Sequence, residues 1–244
     1  MGYRVIKGNL TIEGKSPDGD TIAFYLDESE RKDWVWTYTK KGRFPKFNKK
    51  FHTNVRFEAI DALELHYDVK KVWPVVESHQ DLELAKKARN RMLELCGFNT
   101  DVIEESDSFT LSDPSNQEIS AVIAYNGIDT FGRLIGFVFN ENDAPPLSTE
   151  EQQEIFLSPE MALKSVNAKL LREGLVFPTF YGSLYPEIRN ALIKDYKSAI
   201  MNLEDKGVWD KYQKEIILPR KPVISDIEKA NLFHPGASDC ISNW

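Results

Sequence analysis

Two cysteines occur in the 244 residues, Cys96 and Cys240, and they are too far apart for the spaced pairs of a metal finger or a thiol redox centre. A cysteine-built cofactor site is thereby excluded, and Cys96 is expected as a buried helix residue. No run approaches the roughly eighteen uninterrupted apolar residues of a membrane helix. The first fourteen residues, MGYRVIKGNLTIEG, are too polar for the core of a signal peptide. The chain is therefore expected to be soluble, without a membrane partner or an evident obligate protein partner. Its expected location is cytoplasmic by default, and a secreted mature form remains compatible. Internal repeats are also missing. What is present, 41% hydrophobic and 28% charged residues, suits one large globular domain or a domain with a sizeable extension.

A formal charge of -7 argues, taken alone, against a partner of nucleic acid. The charge is segregated, however. Residues Arg31 to Lys50 hold eight Lys or Arg against the single acid Asp33, whereas Asn99 to Ser120 hold six acids and no base. A phosphate chain feels the field within about a Debye length, roughly 8 Å at physiological salt, so the local patch outweighs the total.

Alternating apolar residues predict strands over Arg4 to Ile12, Thr21 to Leu26, Trp34 to Thr39 and Asn54 to Ile60, then over Ile119 to Ala124 and Arg133 to Phe139. A helix is predicted over Ser78 to Cys96, with Ser78 and Asp81 in capping-box spacing, Ala85, Ala88, Met92 and Leu95 on one face, and Gly97 as its stop. The acidic stretch Asn140 to Leu157 reads as a surface loop. A second helix begins at Ser158-Pro159-Glu160, carries Ala162, Val166 and Leu170 inward, and ends at Gly174. A third runs from Pro186 to about Asp205. Strands, helix, strands and two helices predict an α+β fold, a five-stranded β-barrel of OB type packed by about three α-helices. Residues 1–210 form the expected domain and 211–244 an extension of little periodicity.

Three short segments carry candidate chemistry. Asp18-Gly19-Asp20 places two acids around a glycine at a strand entry, able to face a hard cation but alone no more than an ordinary hairpin turn. The stretch from Val55 to Glu64 holds Arg56, Asp61 and Glu64 on and after a strand, where the plain alternative is solvated surface charge. The third, Gly127 to Phe139, puts Arg133 at the start of an apolar strand, where an arginine can also simply snorkel.

Taken in this order, with the helix over 158–174 following and Gly174-Leu175 and Gly207-Val208-Trp209 behind it, the segments resemble the staphylococcal nuclease family over roughly Val5 to Trp209. The resemblance implies a calcium-dependent nuclease that hydrolyses DNA and/or RNA to leave 3′-phosphate ends. It implies that Asp20 and Asp61 ligate calcium through carboxylates and Ala62 through its backbone carbonyl, that Glu64 handles the attacking water, and that Arg56 and Arg133 hold the phosphate. Leu63 stands where the family often has proline, and Phe131 where tyrosine commonly precedes the Gly-Arg pair. Phe131, Phe180 and Tyr181 are the aromatic candidates for contact with base or sugar. The chemistry is consistent: a phosphodiester shielded by its own charge needs a cation, a positioned water and planar donors for the charge that develops.

Between Trp34 and Phe51, Lys40, Lys41, Arg43 and Lys46 alternate with Phe44 and Phe47. That pattern suits a guide for single-stranded polyanion, and equally a solvated hairpin over buried aromatics. His66 and His79 are read as structural. Two other function classes stand beside the nuclease: a catalytically silent OB-fold module that binds nucleic acid or protein, and a structural interaction protein that uses its acidic insertions. Retention of Asp20, Asp61 and Glu64 together favours the enzyme.

Overall fold

The computed structural model describes residues 2–26, 52–65, 67–68, 77–78, 81–115, 117–145, 154–180, 184–205 and 207–209. The predicted strand Trp34 to Thr39, the basic residues Lys40, Lys41, Arg43 and Lys46, the side chains His66, His79 and Tyr181, and the extension 211–244 lie outside them.

Strands β1 (Tyr3–Thr11) and β2 (Thr21–Leu26) pair antiparallel, and β3 (His52–Phe57) continues the sheet with Thr21 opposite Arg56. The short strands β4 (Ile60–Asp61), β5 (Tyr67–Asp68) and β6 (Glu77–Ser78) lead to helix α1 (Leu82–Cys96). A small hairpin of β7 (Glu104–Glu105) and β8 (Leu111–Ser112) precedes the long strands β9 (Ile119–Ile128) and β10 (Leu134–Asn140). Strand β10 runs parallel to β3 and antiparallel to β9, and β9 returns to pair antiparallel with β1. The result is a closed five-stranded barrel in an α+β protein, with β11 (Glu154–Ile155) added outside β1 at Tyr3.

The period-two pattern explains the barrel. In β1, Ile6, Gly8 and Leu10 are buried while Lys7, Asn9 and Thr11 are half-exposed. Phe24, Val55, Ile123 and Phe137 come from the other staves and are fully buried with them. Closure needs a bend, supplied where the β9–β10 register shifts between Ile135 and Gly136. A Cβ at Gly136 would come within 2.7 Å of the Ala124 carbonyl oxygen, so only glycine fits the bend.

Helices cover one side. Helix α1 buries Ala85, Ala88, Met92, Leu93 and Cys96, and its predicted start moves from Ser78 to Leu82. Ser78 belongs to β6, and Asp81 is itself the N-cap, accepting the Leu84 N–H at 3.0 Å. Gly97, at φ 110°, ends the helix as expected. The helix predicted over 158–174 is divided into α2 (Pro159–Ala162) and α3 (Val166–Arg172). Ser165 makes the break: its Oγ donates to the Ala162 carbonyl at 2.6 Å and accepts the Ala168 N–H at 3.2 Å, closing one helix and opening the next. Strand β12 (Phe177–Pro178) pairs with β4, and α4 (Pro186–Asn202) ends three residues before the predicted Asp205. Helix α3 sits against α1, α4 and β10. Among the described residues no helix is long and apolar enough to cross a membrane.

Candidate active site

The site grows from the turn between β3 and β4. A strand reaching Ile60 was expected, but β3 stops at Phe57 because the chain turns through Glu58 and Ala59, the latter at φ 70°. That conformation is costly for a residue with a Cβ and persists where its surroundings hold it. Three elements do so. The Glu58 N–H donates to the Gly136 carbonyl at 2.8 Å, the Glu58 carbonyl accepts from Asn167 Nδ2 at 2.8 Å, and the Ala59 carbonyl accepts the Thr179 N–H at 3.0 Å. Asn167 also donates to the Gly136 carbonyl at 3.1 Å and accepts the Val138 N–H at 3.0 Å. One buried amide thus ties α3 to β10 and to the turn.

Arg56 and Asp61 flank this turn, and Asp20 meets them from the start of β2. Arg56 donates through Nη1 to Asp20 Oδ1 and through Nη2 to Asp61 Oδ1, so two carboxylates converge on one guanidinium. Asp20 is buried; its Oδ2 accepts the Ala62 N–H at 2.6 Å and its Oδ1 the Thr21 hydroxyl at 3.1 Å. The approach depends on Gly19, where a Cβ would lie 2.9 Å from the Cβ atoms of both Ala62 and Ala88. Asp18, on the other side of Gly19, accepts the Leu65 N–H at 3.1 Å and reaches Glu64. Burial pushes the Glu64 carboxyl up to about 9, with further raising by Asp18 and Asp20 against an opposing pull from Arg56. Four carboxyl groups, Asp18, Asp20, Asp61 and Glu64, are thus grouped around the single Arg56 guanidinium.

Arg133 approaches from the turn before β10. Asp129 Oδ2 accepts its Nε–H at 2.6 Å, and Asp129 Oδ1 accepts the backbone N–H groups of Phe131 and Arg133 at 2.8 and 2.9 Å. With that edge held, Arg133 Nη1 reaches Thr21 Oγ1 at 3.3 Å, which links it through Thr21 to Asp20. The Phe131 ring lies 5.4 Å from the Arg133 guanidinium carbon and is 69% exposed, leaving a free aromatic face beside the cation.

Hydrogen bonds therefore join Asp20, Arg56, Asp61, Ala62 and, through Thr21, Arg133 into one network, and Glu64, bonded to Asp18, lies within the field of Asp20 and Arg56. Phe131 is at its rim, and Phe180, half-buried against the core, follows Thr179 on the strand-side support of the turn. The basic guide candidates and Tyr181 are outside the described residues. Three contributors carried no assigned role in the sequence: Thr21, Asp129 and Asn167. Asn167 had a visible signal, a lone amide between Val166 and Ala168 on an otherwise apolar helix face. Asp129 had a weaker one, its four-residue spacing from Arg133.

Among the described residues no three His, Cys, Asp or Glu side chains form a group able to hold a metal ion by themselves. Asp20 and Asp61 are brought together on Arg56, the Ala62 N–H donates to Asp20, and Glu64, raised by burial and then by Asp18 and Asp20, lies near them. Arg56 supplies the counter-charge in this arrangement. No protein-family model matches the chain, and no curated protein matches it.

Proposed function

We propose that this protein is a calcium-dependent nuclease of the staphylococcal nuclease type, with a barrel of the OB class. The observation that carries the reading is the convergence of Asp20 and Asp61 on Arg56, with Arg133 linked to Asp20 through Thr21 and Glu64 within the field of Asp20 and Arg56. The parallel β3–β10 pairing in the strand order β1-β2-β3-β10-β9 supports the OB class.

Asp20, Asp61 and the Ala62 carbonyl would hold calcium, which when bound supplies positive charge to a phosphate oxygen and to the acid-rich pocket. Glu64 takes the proton of the attacking water. Its raised affinity for protons suits that role once added positive charge brings it down into the ionised range. Arg56 and Arg133 offer planar N–H pairs to the phosphate as negative charge builds on it. Water oxygen bonds to phosphorus, the bond from phosphorus to the 5′-oxygen breaks, and that oxygen leaves with a proton, so the phosphate stays on the 3′ end. Asp129 and Thr21 orient Arg133, and Phe131 offers its exposed ring to a base or sugar. DNA and/or RNA is the proposed partner, with Lys40, Lys41, Arg43, Lys46, Phe180 and Tyr181 as further contacts.

The test is degradation of plasmid DNA and of RNA with calcium and then with EGTA, in wild type and in Asp61→Ala. Cleavage that needs calcium and disappears in the variant supports the reading. Full activity in EGTA overturns it, and calcium binding without any cleavage favours the silent module.

A further inference from the structure

The catalytic network leaves one acid unused. Glu58 lies on the turn between Arg56 and Asp61, is 1% exposed, and neither of its carboxyl oxygens has a hydrogen-bond partner among the described residues. It is not alone. The hydroxyls of Tyr3 and Tyr185 are buried without partners as well, and their rings are 6.0 Å apart between centroids. The Thr179 hydroxyl is a fourth such group, on the residue whose N–H holds Ala59. Buried oxygen atoms cost free energy when unpaired, and isolated orphans are rare in folded proteins. These four are tied to one region: Glu58 acts on Tyr3, Tyr3 packs on Tyr185, and Thr179 bonds to the residue that follows Glu58.

The chemistry of a guest common to them follows from the lining. Two phenols and a threonine hydroxyl can each donate or accept, and a carboxyl can accept or, when protonated, donate. Such a set suits ordered water, which bridges two to four polar atoms at a time. Charge adds a second requirement. The titratable or charged groups that act on Glu58 are Arg56 near the end of β3, Tyr3 on β1 and, through Tyr3, Tyr185 at the head of α4. Arg56 is already shared by Asp20 and Asp61. Burial accordingly outweighs Arg56 and pushes Glu58 up to about 7, while burial and then Glu58 and Tyr185 hold the Tyr3 hydroxyl above its usual range.

We propose that Glu58, Tyr3, Tyr185 and Thr179 form an internal site that binds ordered water and one proton on Glu58, and that this filled site positions the turn carrying Arg56 and Asp61. Glu58 is thus a positioning residue. The effect on activity rests on the nuclease reading, whereas the site itself does not.

The sign of the pH dependence follows from burial. A carboxyl with a higher proton affinity in the folded state than in the unfolded state favours folding while protonated and loses that advantage as pH rises through its folded value. Between about pH 5 and pH 8 the folding equilibrium constant of wild type should fall roughly a hundredfold relative to Glu58→Gln. The experiment uses the full chain and three readouts. Infrared difference spectra of wild type minus Glu58→Gln should show a protonated carboxylic acid at about pH 6 that is gone at about pH 9; the subtraction removes Glu64. Tyr3→Phe and Tyr185→Phe should each destabilise the protein and shift that band, because each breaks a water-mediated contact. If these hydroxyls are truly idle, either change will be neutral or stabilising. Where calcium-dependent cleavage is found, the pH profile of kcat should differ between wild type and Glu58→Gln with KM unchanged.

Neutral tyrosine variants together with no acid band overturn the proposal. A band with no nuclease activity upholds the site and removes only the functional reading. Should Glu58→Gln fail to fold, difference spectra of wild type minus Tyr3→Phe and of wild type minus Tyr185→Phe, in which the unchanged Glu64 cancels, still decide the question by the presence or absence of a shifted acid band.

Discussion

Each phosphate-binding arginine of the proposed site sits beside a turn, and the two turns are built in opposite ways. Arg56 has an 8% exposed side chain and is held by Asp20, 36 residues earlier, and by Asp61 across a turn that α3 and β12 pin in place. Arg133 has a 29% exposed side chain and is held by Asp129, four residues earlier, in a turn that supplies its own hydrogen bonds. The first arrangement is expensive to assemble and expensive to break, because removing one partner strands the others away from water. The second is locally encoded, open to solvent, and worth little to stability. Fold and chemistry are therefore coupled at Arg56 and nearly separable at Arg133.

The sharpest way to break this contrast is Arg56→Met, which leaves Asp20 and Asp61 without their shared cation. Stability should drop by about 3–5 kcal/mol, measured by urea unfolding at neutral pH. Calcium should recover part of the loss if the two carboxylates hold it. A loss no larger than that of an exposed pair would mean that Arg56 is not the structural counter-charge.

Asn167→Ala tests the scaffold of the same turn without touching any charge. The Glu58 carbonyl and the Val138 N–H lose partners that water cannot easily replace, so a cost of about 2–4 kcal/mol is expected, this time with no rescue by calcium. Calcium rescue of both variants would show that the cation stabilises the fold in general and not the carboxylate pair.

Asp129→Asn should have the smallest effect on stability, within about 1 kcal/mol, because the pair is partly solvated. Its effect should fall on turnover instead: kcat for a short single strand drops roughly tenfold as the Arg133 fork loses its alignment, and KM changes little. Added salt should weaken this pair and leave the Arg56 cluster largely untouched, since screening acts on exposed charges. A stability loss as large as that of Arg56→Met would erase the distinction between the two turns.

Much of the fold was legible because its signals are local. The Thr21–Leu26 strand has the predicted bounds, Cys96 is the buried helix residue expected, and Gly97 stops its helix. The errors have local causes as well. Ser165 lies inside an apolar helical pattern, and only its double hydrogen bond shows that it divides two helices. Glu58 continues the alternation of β3, so nothing in the period shows that the chain turns there through a left-handed Ala59.

For the site, the sequence by itself determined the inventory: which acids and arginines exist, that Asp20 opens a strand, and that Arg133 stands four residues from Asp129. Those properties depend on neighbours within a turn or a strand, where backbone geometry and side-chain period are nearly independent of the rest of the chain. Tertiary structure alone decided that Asp20 and Asp61 share Arg56, that Asp18 crowds Glu64, and that Asn167 braces the turn from 109 residues beyond Glu58. These pairings arise only when the barrel closes and excludes water, since burial is what gives a charge its strong preference for one partner over the solvent.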